Sequence, residues 1–155
     1  MGERSGFDTS SLSTADKIVG GCAFLLFVWS LLPFWYKLDL GPIGSDSRNG
    51  FRGITLIAAL IALLVVAEVV VRVLGVGFNL GTNRSLIHLS LAGIALVCTA
   101  LGFFMRPSII VAKYDASWGL WIAILLGAVW NYGAYMMWNE PEANVPPRPP
   151  GGRIG

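Results

Sequence analysis

The chain has 155 residues, room for one domain, with 55% hydrophobic and only 13% charged residues. An ordinary soluble domain carries about 25% charged residues, so this composition and a mean hydropathy of +0.67 exclude a water-soluble globular surface. A net charge of +2 provides no basic field for nucleic acid.

In chain order, a polar N-terminal tail covers residues 1–16 and includes Glu3, Asp8 and Asp16. It lacks the form of a secretory signal, because no small-residue cleavage site precedes the end of the apolar run that follows. Four long apolar stretches come next: about Ile18 to Tyr36, Ile54 to Val76, Leu86 to Met105, and Trp118 to Trp138. About 20 helical residues span the ~30 Å hydrocarbon core of a bilayer. Membrane β-strands are shorter and alternate strictly, and no alternation is present. The fold class expected is an all-α membrane protein with four transmembrane helices in an antiparallel bundle, occupying residues 17–139.

The punctuation fits that reading. Ser13 with Asp16 three residues on forms a capping box before the first span. Gly41-Pro42-Ile43-Gly44 and Asn49-Gly50 break the first loop. Gly75, Gly77 and Gly81 follow the second span, and Asn83 or Ser85 can cap the third. Pro107 ends the third span, Ser117 can cap the fourth, and Glu140-Pro141 ends it. Residues 140–155 form a Pro/Gly-rich tail expected to be disordered. Phe34, Trp35 and Tyr36 at the first span, and Trp118, Trp121, Tyr135 and Trp138 at the fourth, are expected at the headgroup boundary.

Few polar groups lie within the spans. Glu68 sits about two turns from the end of the second span, where a charge costs on the order of 2.5–3.5 kcal/mol at full depth. Arg72 is four residues on, hence on the same helix face. Arg84 and His88, also four apart, open the third span on the same membrane side. Glu68, Arg72, Arg84 and His88 form the candidate intramembrane polar cluster, read first as ion pairing and second as a proton relay between Glu68 and His88. Gly119, Ala123, Gly127 and Asn131 recur every four residues in the fourth span. They form a candidate helix-packing or interface stripe, opposite small residues such as Ala95, Thr99 and Gly102 in the third span and Ala58 and Ala62 in the second. Cys22 and Cys98 differ in depth by roughly 10 Å at ~1.5 Å rise per residue. A disulfide requires Cα atoms within ~7 Å, so both are expected free.

There is no phosphate-binding glycine loop, nucleophile elbow or paired-cysteine motif, and one histidine does not make a zinc or bis-histidine haem site. No cofactor, metal or catalytic residues are expected, and the chain reads as a non-enzyme.

The segment Ser13-Thr14-Ala15-Asp16-Lys17-Ile18-Val19-Gly20-Gly21, leading to Leu31-Leu32-Pro33-Phe34-Trp35, resembles the first span of small four-helix bacterial membrane proteins of the actinobacterial type, whose role is not assigned. The resemblance covers the first quarter of the chain. It implies a four-span protein of the plasma (inner) membrane and carries over no functional residue. Small multidrug transporters also have four helices, but they place an essential carboxylate within the first. Here that helix has no acid after Asp16.

Four spans put both tails and the second loop on one side, with Arg4, Lys17, Arg72, Arg84, Arg148 and Arg153. The other side has Lys37, Arg48, Arg52, Arg106 and Lys113. Six against five is hardly a bias under the positive-inside rule, and the expectation taken is that both termini are cytoplasmic. The functional expectation is an accessory or assembly subunit that packs in the bilayer against itself or partner helices. The alternative is a small proton-coupled transporter or channel using Glu68.

Overall fold

A computed structural model describes residues 12–74, 84–109 and 112–139. The expectations for Gly75, Gly77, Gly81, Asn83, Glu140-Pro141 and the greater part of both tails lie outside the described residues. Four helices carry the architecture: α1 (Thr14–Leu31), α2 (Thr55–Val73), α3 (Arg84–Leu101) and α4 (Trp118–Asn139). Each is long and apolar enough to cross a membrane. The protein is a multi-pass, four-helix membrane protein.

Local sequence explains where the helices start and stop. Ser13 accepts the Asp16 N–H at 3.1 Å and Asp16 accepts the Ser13 N–H at 3.2 Å, closing the expected capping box. The first helix ends at Leu31, five residues before the expected end at Tyr36. Proline disfavours helix in the residue before it, and Leu32, just ahead of Pro33, is extended (φ −80°, ψ 144°). The third helix likewise stops at Leu101, before the expected Met105, where Gly102 begins a turn.

The helices form a ring. α1 packs on α2 and α4, and α3 packs on the same two neighbours. Interior positions are mostly small: Ala58, Ala62, Ala92, Ala95, Ala123 and Ala134 are fully buried. Large apolar side chains such as Phe24, Leu25, Leu64 and Leu125 point outward and are exposed. This is the reverse of a soluble protein. Lipid solvates large apolar side chains as well as a core does, while small residues let helix backbones approach. Cys22 and Cys98 are buried and free, as expected.

Away from the tails, the loops build a small sheet that sequence reading missed. β1 (Tyr36–Asp39) pairs antiparallel with β2 (Ser45–Arg48) across a 3-10 turn at Gly41–Ile43. Gly41 and Gly44 have positive φ there, a backbone state that only glycine adopts freely. A two-residue hairpin, β3 (Ser108–Ile109) with β4 (Ala112–Lys113), precedes β5 (Asp115–Ala116). β5 adds to the other edge of β1, with Tyr36 opposite Ala116. The first and third loops thus close over one end of the bundle.

This cap corrects the expectation for Trp35 and Tyr36, which are buried rather than interfacial. The early end of α1 turns Trp35 inward, where its indole donates to the Trp29 carbonyl at 2.8 Å. Tyr36 donates to the Gly102 carbonyl at 3.4 Å, and burial pushes its hydroxyl above the usual tyrosine range. Phe34, Trp118, Trp121, Tyr135 and Trp138 are exposed, in keeping with a belt.

A side-chain clasp joins the two loops. The Tyr114 hydroxyl donates to the Asp46 carboxylate, and Arg48 donates to that hydroxyl at 2.9 Å while pairing with Asp46. The Tyr114 bond, then Arg48, holds the Asp46 carboxyl below the usual aspartate range. A group whose folded-state value is lowered stabilises fully above its unfolded value of about 3.9, and that stability fades as pH falls through the folded value. Tyr114→Phe should therefore lower the thermal midpoint at neutral pH and flatten the decline below about pH 4. Thermal unfolding in detergent across pH checks this; an acid decline as steep as the wild type's would refute the clasp.

Candidate functional site: an ion cluster at the tail-side end of the bundle

The four residues of the expected polar cluster converge, and a fifth joins them. α2 is a run of Leu, Ile, Val and Ala interrupted only by Glu68 and Arg72, one turn apart on one face. Arg72 donates to Glu68 Oε1 at 2.6 Å. Arg84, in the first turn of α3, donates to the same oxygen at 3.2 Å. Asp16, in the first turn of α1, receives Arg84 at 2.6 Å and Arg72 at 3.3 Å on Oδ1. Each guanidinium therefore touches both carboxylates, and each carboxylate touches both guanidiniums. The ring ties α1, α2 and α3 together.

Two acids against two arginines make the set neutral. Every Asp, Glu, Lys or Arg in the four helices belongs to it except Lys17, which is exposed. The side chains of Asp16 and Glu68 are 10% and 11% exposed, those of Arg72 and Arg84 30% and 21%. The acids are thus drawn into the bundle while the arginines extend toward its end, as long cationic side chains do near an interface. Charges in so dry a place persist when paired and hydrogen-bonded.

The carboxylate oxygens divide their partners. Asp16 uses Oδ1 for the arginines and Oδ2 for the Ser13 cap. Glu68 uses Oε1 for both arginines, while Oε2 faces His88 Nε2 at 3.5 Å and has no hydrogen bond. His88 itself is 1% exposed, on the interior face of α3 that continues with Ala92, Ala95 and Thr99.

No known family, curated protein or solved structure matches this chain. Any functional reading therefore rests on its own residues.

The small-residue stripe is used within the chain. Gly119, Ala123 and Gly127 are buried. Gly119 abuts the Phe34 backbone, and a Cβ on Gly127 would lie 3.0 Å from Leu96. Asn131, half-buried, donates to the Ala92 carbonyl on α3 and to the Gly127 carbonyl, each at 2.9 Å. These four residues therefore seat α4 on its neighbours.

Sequence reading missed Asp16 as a cluster member, because its capping role already accounted for it. Its one legible signal was position: an acid opening the first span lies on the same membrane side as Arg72 and Arg84.

Proposed function

We propose that this chain is a non-enzymatic accessory or assembly subunit, held in a bacterial plasma membrane with both termini in the cytoplasm. The observation that carries this reading is the closed charge ring. The ionised groups of the spans bond to one another, which fixes the bundle and leaves the outward faces of large apolar and aromatic residues as the surface offered to neighbours. Those neighbours are lipid and either a second copy or the helices of another membrane protein. Chemical crosslinking in native membranes, then sizing in mild detergent, tests it. A crosslinked oligomer or reproducible membrane partner is expected; a strictly monomeric chain with no crosslinked neighbour overturns it. A reporter fused to the C-terminus and active only outside the cytoplasm would reverse the orientation.

One observation favours a second reading, a proton-coupled transporter or channel: Glu68 Oε2 and His88 Nε2 face each other inside the bundle. On that reading Glu68→Gln abolishes a pH-driven flux in liposomes while the protein stays folded. Flux unchanged by the substitution, or absent from the wild type, rules it out.

A further inference from the structure

We propose that the tip of the β1–β2 hairpin is a membrane-surface anchor, with Leu40, Pro42 and Ile43 seated at the headgroup–acyl boundary beside the bundle. The inference stands on the four-span fold alone and on neither functional reading above.

The hairpin lies across the bundle end. Successive side chains of a strand point to opposite faces. Tyr36 and Leu38 are buried as part of the core, and Tyr36 reaches the Gly102 carbonyl at the end of α3. Lys37 and Asp39 are exposed, as are Ser47 and Ser45 opposite them. One face of the sheet therefore rests on the helix ends while the other faces water, so β1 runs along the membrane surface. From Tyr36 to Asp39 the strand covers about 10 Å, which is about one interhelical spacing. The turn that follows thus overhangs the rim of the bundle, where lipid begins.

The turn suits that place. Ile43 is 88% exposed and Leu40 41%, and Pro42 between them is exposed as well. Residues 40–44 include no charged side chain. A cluster of apolar side chains so open marks a contact surface. Near hydrocarbon an unbonded N–H is costly, and this turn has none. Leu40 donates to the Gly44 carbonyl at 2.8 Å, Ile43 to the Leu40 carbonyl at 3.4 Å and Gly44 to the Gly41 carbonyl at 3.1 Å. Gly41 donates to the Asp39 carboxylate at 2.9 Å, and proline has no N–H. The tip can therefore enter the boundary without stranding a backbone donor. Lipid is the occupant because the tip continues the lipid-facing rim: Phe34, Phe104, Met105 and Trp118 are exposed at the same end of the bundle.

Nitroxide labelling of the full chain in phosphatidylcholine–phosphatidylglycerol nanodiscs tests this. Ile43→Cys carries the label at the tip, and Ser47→Cys carries it on the open face of the same hairpin. Cys22 and Cys98 are buried, and the wild type treated alike is the blank. Oxygen concentrates in lipid and a nickel chelate in water, so their collision rates with the label read its surroundings. At Ile43→Cys oxygen collisions should exceed those of the chelate, and at Ser47→Cys the order should reverse. If Ile43→Cys does not fold, Leu40→Cys gives the reading from the other flank of the tip. A tip label that meets the chelate as freely as the Ser47→Cys label leaves the hairpin in water and overturns the proposal. A tip label shielded from both reagents overturns it equally, because protein then covers the tip; spin–spin broadening would identify that protein as a second copy.

Discussion

Gly119→Ala should leave little folded protein. A Cβ on that residue would run into the Phe34 carbonyl, with the carbonyl carbon 2.6 Å away and the Phe34 Cβ at 2.9 Å. The obstacle is backbone, and that backbone is fixed from several directions. The Phe34 carbonyl accepts the Gly119 N–H at 3.0 Å, Trp29 donates to the Gly119 carbonyl at 2.8 Å, and the Phe34 ring stacks on Trp118 with centroids 5.0 Å apart. Overpacking typically costs about 1–3 kcal/mol when side chains can give way. Here none of the obstructing backbone can yield, so the loss should reach or exceed about 3 kcal/mol. Gly21→Ala is the control. A Cβ there meets nothing within 4 Å, and alanine favours helix over glycine by up to about 1 kcal/mol. Yield of monodisperse protein and thermal midpoint in detergent separate the two. A Gly119→Ala protein as stable as the wild type would mean that α4 is not seated on the end of α1 in this way.

The second large effect is expected at Arg84. Arg84→Met removes both of its bonds, leaving Asp16 and Glu68 to share Arg72 and giving the cluster a net negative charge away from water. Removing one partner of a buried pair costs about 3–5 kcal/mol, because the group left behind is the larger penalty. The partial exposure of Arg84 places the expected loss at the low end, about 3 kcal/mol. Adding Asp16→Asn should return much of it. The set is neutral again, and the side-chain carbonyl oxygen of the introduced asparagine can still accept the Ser13 N–H. The double variant should therefore be more stable than the sum of the singles predicts. Denaturant unfolding of all four proteins measures this. Strictly additive losses would show that the two residues do not belong to one network.

The parts of this architecture legible in the sequence were those set by local rules. Span length and the Ser13–Asp16 box are local, and so is the Glu68–Arg72 spacing, which placed an acid and a base on one helix face before any helix was seen. The convergence of Arg84 and His88 on Glu68 was also readable, because a short loop makes consecutive helices antiparallel neighbours. What stayed hidden depends on contacts far apart in sequence. Ser45-Asp46-Ser47-Arg48 and Asp115-Ala116 have no alternation of apolar and polar residues and little β-propensity. They become strands only because Tyr36–Asp39 lies between them. Trp35 and Tyr36 were misplaced for the same reason: an aromatic pair at a span's end looks interfacial until a covering sheet buries it. Asp16 was hidden differently, since one carboxylate serves two ends, each oxygen with its own partner.

The central position of β1 has a consequence for biogenesis. Its two neighbours come from opposite ends of the translation product: β2 follows at once, whereas β5 emerges only after α2 and α3 have been made. During synthesis β1 therefore waits with one edge unpaired, and a nascent or truncated chain lacking the segment before the last span displays an open strand edge at the membrane surface. Such edges invite strand addition from other polypeptides. Arrival of β5 thus removes an adhesive surface, so a product stalled before that segment can be told from one that has passed it by that edge alone.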